Sequence, residues 1–315
     1  MNDALAGNLE NHLNLDYSDS KLMRSVFDEL EFQFLIPGCN DRSYEICCEI
    51  ASEKAFIGYE SLESIFELHR KDKFRDLCKK LSIPSPKVYY SVAEAASAGG
   101  HLMVKPVDSY SGRGIEVLSV LSQTNINKAI EVAKRHSPSE RVVIEDFVSG
   151  KLHSFSAFLR SNKVVQAFTV AEFGVANPYV VDTSYVCAGN PYEEELRENA
   201  EAIASELDLC EGLLHLQYIC DEHNYWLIEA TRRCPGDLYS DLIFRATGFD
   251  YARAYLATFI AQDLPSRACI NTQPIVRHTV NSSQAGIFSS VSFNNLFAPM
   301  TWHPLATVGQ TLLPS

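Results

Sequence analysis

The chain has 315 residues, of which 46% are apolar and 21% charged, so it has the composition of a globular protein with one large core or two to three smaller ones. Its formal net charge of -13 argues against a general affinity for nucleic acid, whose phosphates require clustered Lys and Arg. Because no stretch reaches the roughly 20 apolar residues of a membrane span and the first residues lack the pattern of a secretory signal, we expect a cytoplasmic protein without a membrane partner.

The N-terminal part of the chain alternates helix and strand patterns. Residues 21–36 predict an amphipathic helix that runs into an apolar strand, Glu31 to Ile36, and a second helix follows over 43–52. This alternation indicates a small α/β layer, with the turn at 37–41 at the carboxyl edge of a parallel sheet. Such a layer normally opens with its own strand, whereas residues 1–20 are polar and irregular. We therefore expect a layer that lacks one or more elements.

The rest of the chain predicts an α+β body. A helical pattern over 62–81 ends at a proline-containing segment. Further helices are predicted at 92–98, 124–136, 191–208 and 248–262. Strands are predicted at 86–92, 101–107, 115–120, 141–148, 153–160, 163–171, 212–220, 225–233, 274–280 and 286–293. The predicted domains are 1–70, 71–265 with an internal boundary near 143–150, and a β-rich segment over 266–315.

The nine cysteines predict neither a zinc site nor a disulfide framework. Their number is odd and none forms a CxxC pair. We expect reduced and mostly buried thiols. The cysteines are residues 39, 47, 48, 78, 187, 210, 220, 234 and 269.

A lysine in an apolar strand precedes a glycine-containing loop. Lys105 is costly to bury in the strand 102–106 unless an anion pairs with it. In the loop 108–114, Gly112 and Gly114 let the backbone approach phosphate oxygens and present N–H donors. The spacing matches neither a Walker loop nor a full dinucleotide fingerprint. The segment therefore predicts either a phosphate-binding loop or a surface hairpin with a snorkelling lysine.

The strands 212–220 and 225–233 carry a more specific set of residues. Alternate side chains of a strand share a face, so Glu229, Thr231 and Arg233 point the same way. A hairpin turn at 222–224 would place Gln217 opposite Glu229, with Cβ atoms roughly 5 Å apart. Their oxygens could share one hard cation such as Mg²⁺, and Arg233 would neutralise a phosphoryl group in transfer. The alternative is a surface strand with one Glu–Arg ion pair.

Candidate substrate contacts lie beside these strands. An arginine after the second strand could hold a substrate carboxylate in a bidentate pair, and an acidic side chain could hold a substrate amine. Solvated surface charge is the other interpretation of the acidic residues. The candidates are Arg232, Arg233, Gly236, Asp237, Glu172 and Asp182.

Taken in order along the chain, these features resemble the ATP-grasp superfamily, which includes carbamoyl-phosphate synthetase large subunits, biotin carboxylases and amino-acid ligases. The likeness extends from about residue 34 to 262. It implies an α+β ATP-grasp fold, in which two α+β subdomains grip ATP, with a truncated N-terminal α/β layer. It also implies ATP and Mg²⁺ as cofactors, with Mn²⁺ as a substitute, and two small-molecule substrates, a carboxylate and an amine. Since dimers are common in the superfamily, it further suggests a homodimer.

Carried over residue by residue, the resemblance assigns roles to individual positions. Lys73 and Lys105 hold the nucleotide phosphates, and the loop 109–114 is the flap that closes over them. Gln217, Glu229 and Thr231 bind the metal, while Arg233 and Lys105 assist phosphoryl transfer. The remaining nucleotide contacts are Ser111, Gly112 and Gly114 of the flap, the adenine hinge Glu145, Asp146, Phe147 and Val148, and His153. In the hinge, Asp146 and Val148 contribute main-chain groups and Glu145 a side chain.

Three features depart from the family pattern. Thr231 stands where the family usually has Asn, so its reach towards a metal is shorter. The run 150–154, which contains His153, lacks the acidic residue that usually contacts the ribose. The opening strand and helix of the N-terminal layer are absent, so we expect either a truncated form or an edge supplied by another subunit.

The resemblance implies an ATP-dependent carbon–nitrogen ligase. In this activity, MgATP phosphorylates a carboxylate to an acyl-phosphate, which an amine then attacks. Two alternatives stay open at this point. One is bicarbonate activation of the carbamoyl-phosphate type on the same scaffold, and the other is a catalytically silent ATP-binding module.

Overall fold

The fold was derived from a computed structural model, in which residues 12–54, 56–109, 112–175, 177–265, 272–282, 284–293 and 299–312 are described. The helices of this part of the chain are α1 (Ser20–Leu30), α2 (Asp41–Lys54), α3 (Leu62–His69), α4 (Lys71–Lys80), α5 (Val92–Ala96), α6 (Gln123–Arg135), α7 (Glu193–Glu206), α8 (Tyr239–Thr247) and α9 (Tyr251–Phe259).

The strands of the same ranges are β1 (Val88–Tyr89), β2 (Leu102–Pro106), β3 (Glu116–Leu118), β4 (Val142–Asp146), β5 (Lys151–Arg160), β6 (Lys163–Phe173), β7 (Thr183–Val186), β8 (Gly212–Cys220), β9 (Tyr225–Thr231), β10 (Val276–His278), β11 (Gly286–Ile287) and β12 (Thr311–Leu312).

The strands form two main antiparallel sheets. The first has four strands in the order β1-β4-β2-β3, and the second has six in the order β10-β7-β6-β5-β8-β9. Strands β11 and β12 pair separately. The change from one main sheet to the other falls between β4 and β5, inside the region 143–150 where a subdomain boundary is predicted. Strand β10 adds part of the C-terminal segment to the edge of the larger sheet.

Helices cover both sheets and bury their apolar faces. Helices α5 and α6 pack on the four-stranded sheet, with Ile126 and Ala129 against Leu102 and Val104. Helix α7 and α4 cover one face of the six-stranded sheet, and α8 and α9 cover the other. Burial of apolar surface in each layer stabilises the fold by roughly 25 cal/mol per Å² of surface removed from water. The edges of these packed layers bring together the charged residues described below.

The N-terminal region differs from its sequence-based prediction. Within the described residues, no strand forms at 31–36. All strand pairs in the described part of the chain are antiparallel, so the predicted edge of a parallel sheet at 37–41 is wrong. Leu35 is instead the buried residue of an irregular segment that packs on Ile46 and Ile50 of α2. Its carbonyl accepts a hydrogen bond from the Tyr59 hydroxyl at 2.6 Å. A short apolar run without a neighbouring strand satisfies its backbone in this way.

The helix predicted over 62–81 is two helices with a break at Arg70. That residue has an extended backbone, with φ of -84° and ψ of 120°. Its N–H still closes α3 onto the Phe66 carbonyl, whereas the N–H of Lys71 donates to the Val107 carbonyl after β2. The start of α4 is therefore attached to the four-stranded sheet. Among the described residues, no helix is both long enough and apolar enough to cross a membrane.

Candidate active site

A buried group of three charges joins the two sheets. Lys105 on β2 and Glu145 on β4 lie close together, with Lys105 Nζ 2.5 Å from Glu145 Oε1. Arg75 of α4 donates from Nε to Glu145 Oε2 at 2.9 Å and from Nη2 to the Ile228 carbonyl on β9 at 2.9 Å. The three residues are 6%, 2% and 2% exposed in that order. Lys105 therefore does have the anionic partner that its burial requires.

The charges of this group shift one another's ionisation. Burial lowers the pKa of Lys105 to about 8, because Glu145 compensates only part of the cost and the Arg75 and Lys71 charges add to it. Burial opposes the ionisation of Glu145, but Arg75 and Lys105 outweigh it and lower the pKa of that carboxyl. Arg75 also keeps its Nη1 buried without a hydrogen-bond partner among the described residues. The group thus has spare positive charge, which suits an anionic ligand.

The predicted pairing of Gln217 with Glu229 is confirmed. The two residues are direct partners across β8 and β9, and the hairpin turns between Cys220 and Tyr225. Gln217 Nε2 donates to Glu172 Oε2 at 2.8 Å, which directs its carbonyl oxygen away from Glu172. The Glu229 side chain is 36% exposed and lies 3.7 Å from Lys71 Nζ. One amide oxygen and one accessible carboxylate therefore come together.

This pair fits a nucleotide-bound magnesium ion. Mg²⁺ is usually held by one or two protein carboxylates, with waters and phosphates completing the octahedron. The described residues contain no group of three or more His, Cys, Asp or Glu that could hold a metal by themselves. Gln217 and Glu229 would therefore hold the ion only together with phosphate oxygens.

Arg233 is held beside this pair by Asp41 at the start of α2. Arg233 Nε donates to Asp41 Oδ1 at 3.0 Å, and the Thr231 hydroxyl donates to the same oxygen at 2.9 Å. Burial disfavours the Asp41 carboxylate, but Arg233 and His69 outweigh it and lower its pKa to about 2. Asp41 thus fixes the arginine that would face a phosphoryl group.

Thr231 does not fit the predicted metal site. Thr231 is 4% exposed. Its hydroxyl donates a hydrogen bond to Asp41 and lies 3.4 Å from His69 Nε2. A threonine hydroxyl is too short to reach past these partners. Thr231 therefore helps to position Asp41, which in turn holds Arg233.

Lys73 is not at the cluster. Its ammonium pairs with Glu67 of α3, which raises its pKa, and its side chain is 42% exposed. Lys71 takes that place instead, with Nζ 2.9 Å from the Ser109 carbonyl and 3.7 Å from Glu229. Two residues along a helix turn the side chain by about 200°, so both cannot face the same side. The prediction for Lys73 is corrected to Lys71.

Arg232 is also not available to a substrate. It is 2% exposed, lies 2.7 Å from Glu60 Oε1, and donates to the carbonyls of Leu213, Cys210 and Glu211. Both arginines follow the end of β9, and they pair with different acids, Arg232 with Glu60 and Arg233 with Asp41. It is a structural ion pair, and the substrate prediction for it is wrong.

The two predicted amine-binding acids have structural partners. Glu172 is 5% exposed, burial raises its pKa, and it accepts the Gln217 amide. Asp182 is 2% exposed and accepts from the Val175 N–H at 2.7 Å and the Thr183 hydroxyl at 2.8 Å. Glu172 therefore orients a candidate metal ligand, and Asp182 closes the loop before β7.

The hinge 145–148 is only partly free for an adenine. The Asp146 N–H donates to the Lys87 carbonyl and the Phe147 N–H to the His101 carbonyl, both at 2.9 Å. The Glu145 side chain is occupied by Lys105 and Arg75. The nucleotide contact predicted for the Glu145 side chain is therefore corrected, and the Asp146 N–H is already used, while main-chain contacts from the Asp146 carbonyl and from Val148 stay predictions.

His153 faces away from the Gln217–Glu229 pair. On β5 it is opposite Tyr218, whereas its neighbour Ser154 is opposite Gln217. Its ring stacks on Tyr218 with centroids 5.4 Å apart, and its Nδ1 lies 3.1 Å from the Lys151 carbonyl. The alternation of side chains along the strand removes it from the metal face. The nucleotide contact predicted for His153 is not supported.

The glycine loop approaches the loop before β7. Gly112 has φ of +70°, and a Cβ built there would lie 2.4 Å from Tyr179 Cβ, so only glycine fits this contact. Gly114 also has a positive φ, +75°. Ser111 lies outside the described residues. Gly236 and Asp237 follow Arg233 in the loop before α8, where Asp237 is exposed, and their role stays a prediction.

Lys71, Arg75, Asp41 and His69 were not predicted from the sequence. One signal was available for Arg75, because it falls among Phe74, Leu77 and Cys78 on the buried face of α4. A charged residue inside an apolar stripe needs a partner of opposite charge. Asp41 had no comparable signal, because an acidic residue in the first turn of a helix is common.

Comparisons with known proteins agree with this architecture. No protein-family model matches the chain. The chain is 24% identical over 217 residues to the C-terminal section of the carbamoyl phosphate synthase large chain of Methanopyrus kandleri, a match covering 64% of this chain. The chain spans 39% of the length of that curated relative.

Solved structures match over more of the chain. The biotin carboxylase domain of Hydrogenobacter thermophilus 2-oxoglutarate carboxylase, in a complex with MgADP, ADP and bicarbonate, matches with a TM-score of 0.73 and 14% identity, over 95% of this chain and 71% of that chain. The chain has the ATP-grasp fold. Phosphoribosylglycinamide synthetase of Anaerococcus prevotii, another ATP-grasp protein, has a TM-score of 0.69 at 15% identity, over 95% of this chain and 78% of that chain.

A third ATP-grasp structure, the L-amino acid ligase of Bacillus licheniformis, has a TM-score of 0.67 at 15% identity, over 87% of this chain and 69% of that chain. At such identities these likenesses establish the fold and leave the roles of individual residues to the geometry. The ATP-grasp fold that the sequence resemblance implies is thus confirmed.

Proposed function

We propose that the chain is an ATP-dependent carbon–nitrogen ligase that joins a carboxylate to an amine through an acyl-phosphate. The observation that carries this proposal is the continuous charged site from Lys105 and Arg75 to Glu229 and Arg233. Buried cations, a candidate metal-binding pair and a fixed arginine are the groups that phosphoryl transfer requires.

In this proposal the nucleotide phosphates lie against Lys105 and Lys71. Mg²⁺ bound to the phosphates, or Mn²⁺ in its place, would be held by Gln217 and Glu229 and would supply positive charge to the transferring group. Glu172 would orient the Gln217 amide, as partners of metal ligands commonly do. Arg233, held by Asp41, would neutralise charge on the γ-phosphoryl group.

The reaction has two steps. A carboxylate oxygen attacks the γ-phosphorus, the bond to the β-γ bridging oxygen breaks, and ADP leaves. An amine nitrogen then attacks the acyl carbon, phosphate leaves with the electron pair of the C–O bond, and the amine loses a proton. Placement and charge neutralisation account for the protein's part in the first step.

Bicarbonate activation is the second candidate function. It is favoured by the likeness to a carbamoyl phosphate synthase section and to a biotin carboxylase domain whose structure holds bicarbonate. Bicarbonate would take the place of the carboxylate in the same first step. The acceptor would then be ammonia or another nitrogen nucleophile.

The test is ADP release by the purified chain with MgATP, assayed against pools of amino acids and small carboxylates and against bicarbonate. Turnover that needs both a carboxylate and an amine supports the ligase, and turnover that needs bicarbonate supports the second candidate. We expect Glu229→Gln and Arg233→Met to abolish either activity. Glu131→Gln removes an exposed carboxylate on α6 and should leave it unchanged. Nucleotide binding without turnover in every pool would contradict both and support the catalytically silent module.

We further propose a homodimer. The biotin carboxylase structure is described as a dimer. Sedimentation equilibrium of this chain with and without MgADP tests the proposal, and a monomer at all concentrations would contradict it.

A further inference from the structure

Strand β9 carries one extra residue directly before Glu229. Across β8 and β9, Tyr218 is opposite Leu227 and Gln217 is opposite Glu229, so Ile228 has no partner in the ladder. This arrangement is a β-bulge, which bends the strand and changes the direction of the side chains that follow it. The bulge therefore lies immediately before a candidate metal ligand.

The bulge turns Glu229 out of the hydrophobic core. Tyr225, Leu227 and Ala230 pack in the core that α4 and α7 cover. Because alternate residues of a regular strand share a face, Glu229 would otherwise follow Tyr225 and Leu227 into this core, where its charge would be costly. The extra residue gives the core position to Ala230 instead, and the Glu229 side chain is 36% exposed on the site face. The direction of this carboxylate thus depends on the bulge.

The guanidinium of Arg75 binds the backbone of the bulge. Its Nη2 donates to the Ile228 carbonyl at 2.9 Å, and its Nε donates to Glu145 Oε2 at 2.9 Å. Arg75 is 2% exposed, so both hydrogen bonds are shielded from water. Lys71 lies four residues earlier on the same face of α4, and its Nζ is 3.7 Å from the Glu229 carboxylate. One face of α4 therefore contacts both the carboxylate of the candidate metal ligand and the peptide before it.

We propose that Arg75 is a positioning residue for the metal site, which holds the Ile228 bulge and thereby directs the Glu229 carboxylate. A lysine would keep the positive charge beside Glu145, but it lacks the planar fork that also reaches the Ile228 carbonyl. Loss of a group that orients a metal ligand lowers metal affinity about 10–100-fold. The inference rests on the metal site of the proposed function, but it does not require that any substrate is ligated.

The test is Mn²⁺ binding by the full chain with one bound ADP, measured by electron paramagnetic resonance in the unsubstituted protein and in Arg75→Lys. The Kd for Mn²⁺ should rise at least about tenfold in Arg75→Lys. The Kd for ADP without metal should change less than about twofold, because the charge beside Glu145 is kept. Arg135→Lys makes the same exchange at an exposed position of α6 and should leave both constants unchanged. If Arg75→Lys does not fold, Arg75→Gln replaces it with the same expected rise, since Glu145 then still pairs with Lys105.

Amide hydrogen exchange provides a second measurement, which separates positioning from a general loss of stability. In Arg75→Lys the segment 225–231 should exchange at least about tenfold faster, whereas 151–160 on β5 should exchange as in the unsubstituted chain. An unchanged Kd for Mn²⁺, or equally faster exchange in both segments, would overturn the proposal.

The outcomes also distinguish this inference from the proposed function. If Arg75→Lys weakens Mn²⁺ binding as expected but the unsubstituted chain releases no ADP with any substrate, the proposed function fails and the role of Arg75 stands. If the unsubstituted chain with ADP binds no Mn²⁺, both are overturned.

Discussion

The affinity of the site for ADP should fall as the pH rises from 7 to 9, because Lys105 loses its charge in that range. Burial lowers the pKa of this lysine to about 8 in the free protein. Only the charged ammonium pairs with a phosphate. The folded-state pKa is below the usual value of 10.5, so the affinity is nearly complete at pH 7 and is lost as the pH rises through about 8.

The size of the effect follows from the charged fraction. With a pKa of about 8, roughly nine tenths of Lys105 is charged at pH 7 and roughly one tenth at pH 9. If only the charged form binds, the apparent Kd rises about tenfold between these two values. Binding at pH 8.5 should also take up about 0.8 of a proton, since a phosphate next to Lys105 raises its pKa.

Fluorescence titration with a labelled ADP and Mg²⁺ measures this dependence, and calorimetry in two buffers of different ionisation enthalpy measures the proton uptake. The background should be Cys39→Ser, because that thiol titrates near pH 7. In Lys105→Arg the dependence should disappear, since guanidinium stays charged throughout. A constant Kd from pH 7 to 9 in the Cys39→Ser protein, or the same tenfold rise in Lys105→Arg, would refute the reasoning.

Three further changes test other parts of the site. Asp41→Asn removes the charge that holds Arg233. Because the Asp41 side chain is 36% exposed, solvent screening reduces the interaction with Arg233 to about 1 kcal/mol. The rate of ADP release should therefore fall about fivefold, while the affinity for ADP stays unchanged. Arg232→Met leaves the buried Glu60 carboxylate with only the Tyr44 hydroxyl and without an opposite charge. Chemical denaturation should show a loss of about 3–5 kcal/mol in the free energy of unfolding, partly recovered when Glu60→Leu is added, and a loss below about 1 kcal/mol would contradict the buried pair. Glu172→Ala should raise the Mg²⁺ concentration for half-maximal ADP release at least about tenfold, and an unchanged value would remove its role in orienting the metal ligand.

The parts of the fold that could be predicted from sequence are those with a strong local period. Strands β5, β6, β8 and β9 are long and rich in apolar residues, and the sequence predicts their bounds within a few residues. The turn between β8 and β9 pairs Cys220 with Tyr225, which by itself would put Gln217 opposite Ile228. An irregularity between Gln217 and Tyr218 shifts the register by one residue and brings Gln217 opposite Glu229, as predicted.

Residues whose role depends on distant contacts could not be predicted in this way. Arg232 and Arg233 are adjacent, yet Arg232 pairs with Glu60 in the loop before α3 and Arg233 with Asp41 at the start of α2. Both arginines follow the end of β9, and only the positions of these two acids show which arginine belongs to the site. The N-terminal strand was wrongly predicted for a similar reason, since an apolar run needs a partner strand to become one.

Lys71 rather than Lys73 lies at the site because the helix breaks at Arg70. The sequence did contain evidence for that break. In α3 the buried positions are 65, 68 and 69, and a continuous helix would carry this face on to Asp72 and Asp76 seven residues later. Two aspartates on a buried face are unfavourable, whereas Phe74, Leu77 and Cys78 lie off that face. A new start at Lys71 buries these apolar residues and brings Lys71 and Arg75, four residues apart, to the same side. The cost of burying the aspartates therefore explains both the end of α3 and the choice of the lysine that meets Glu229.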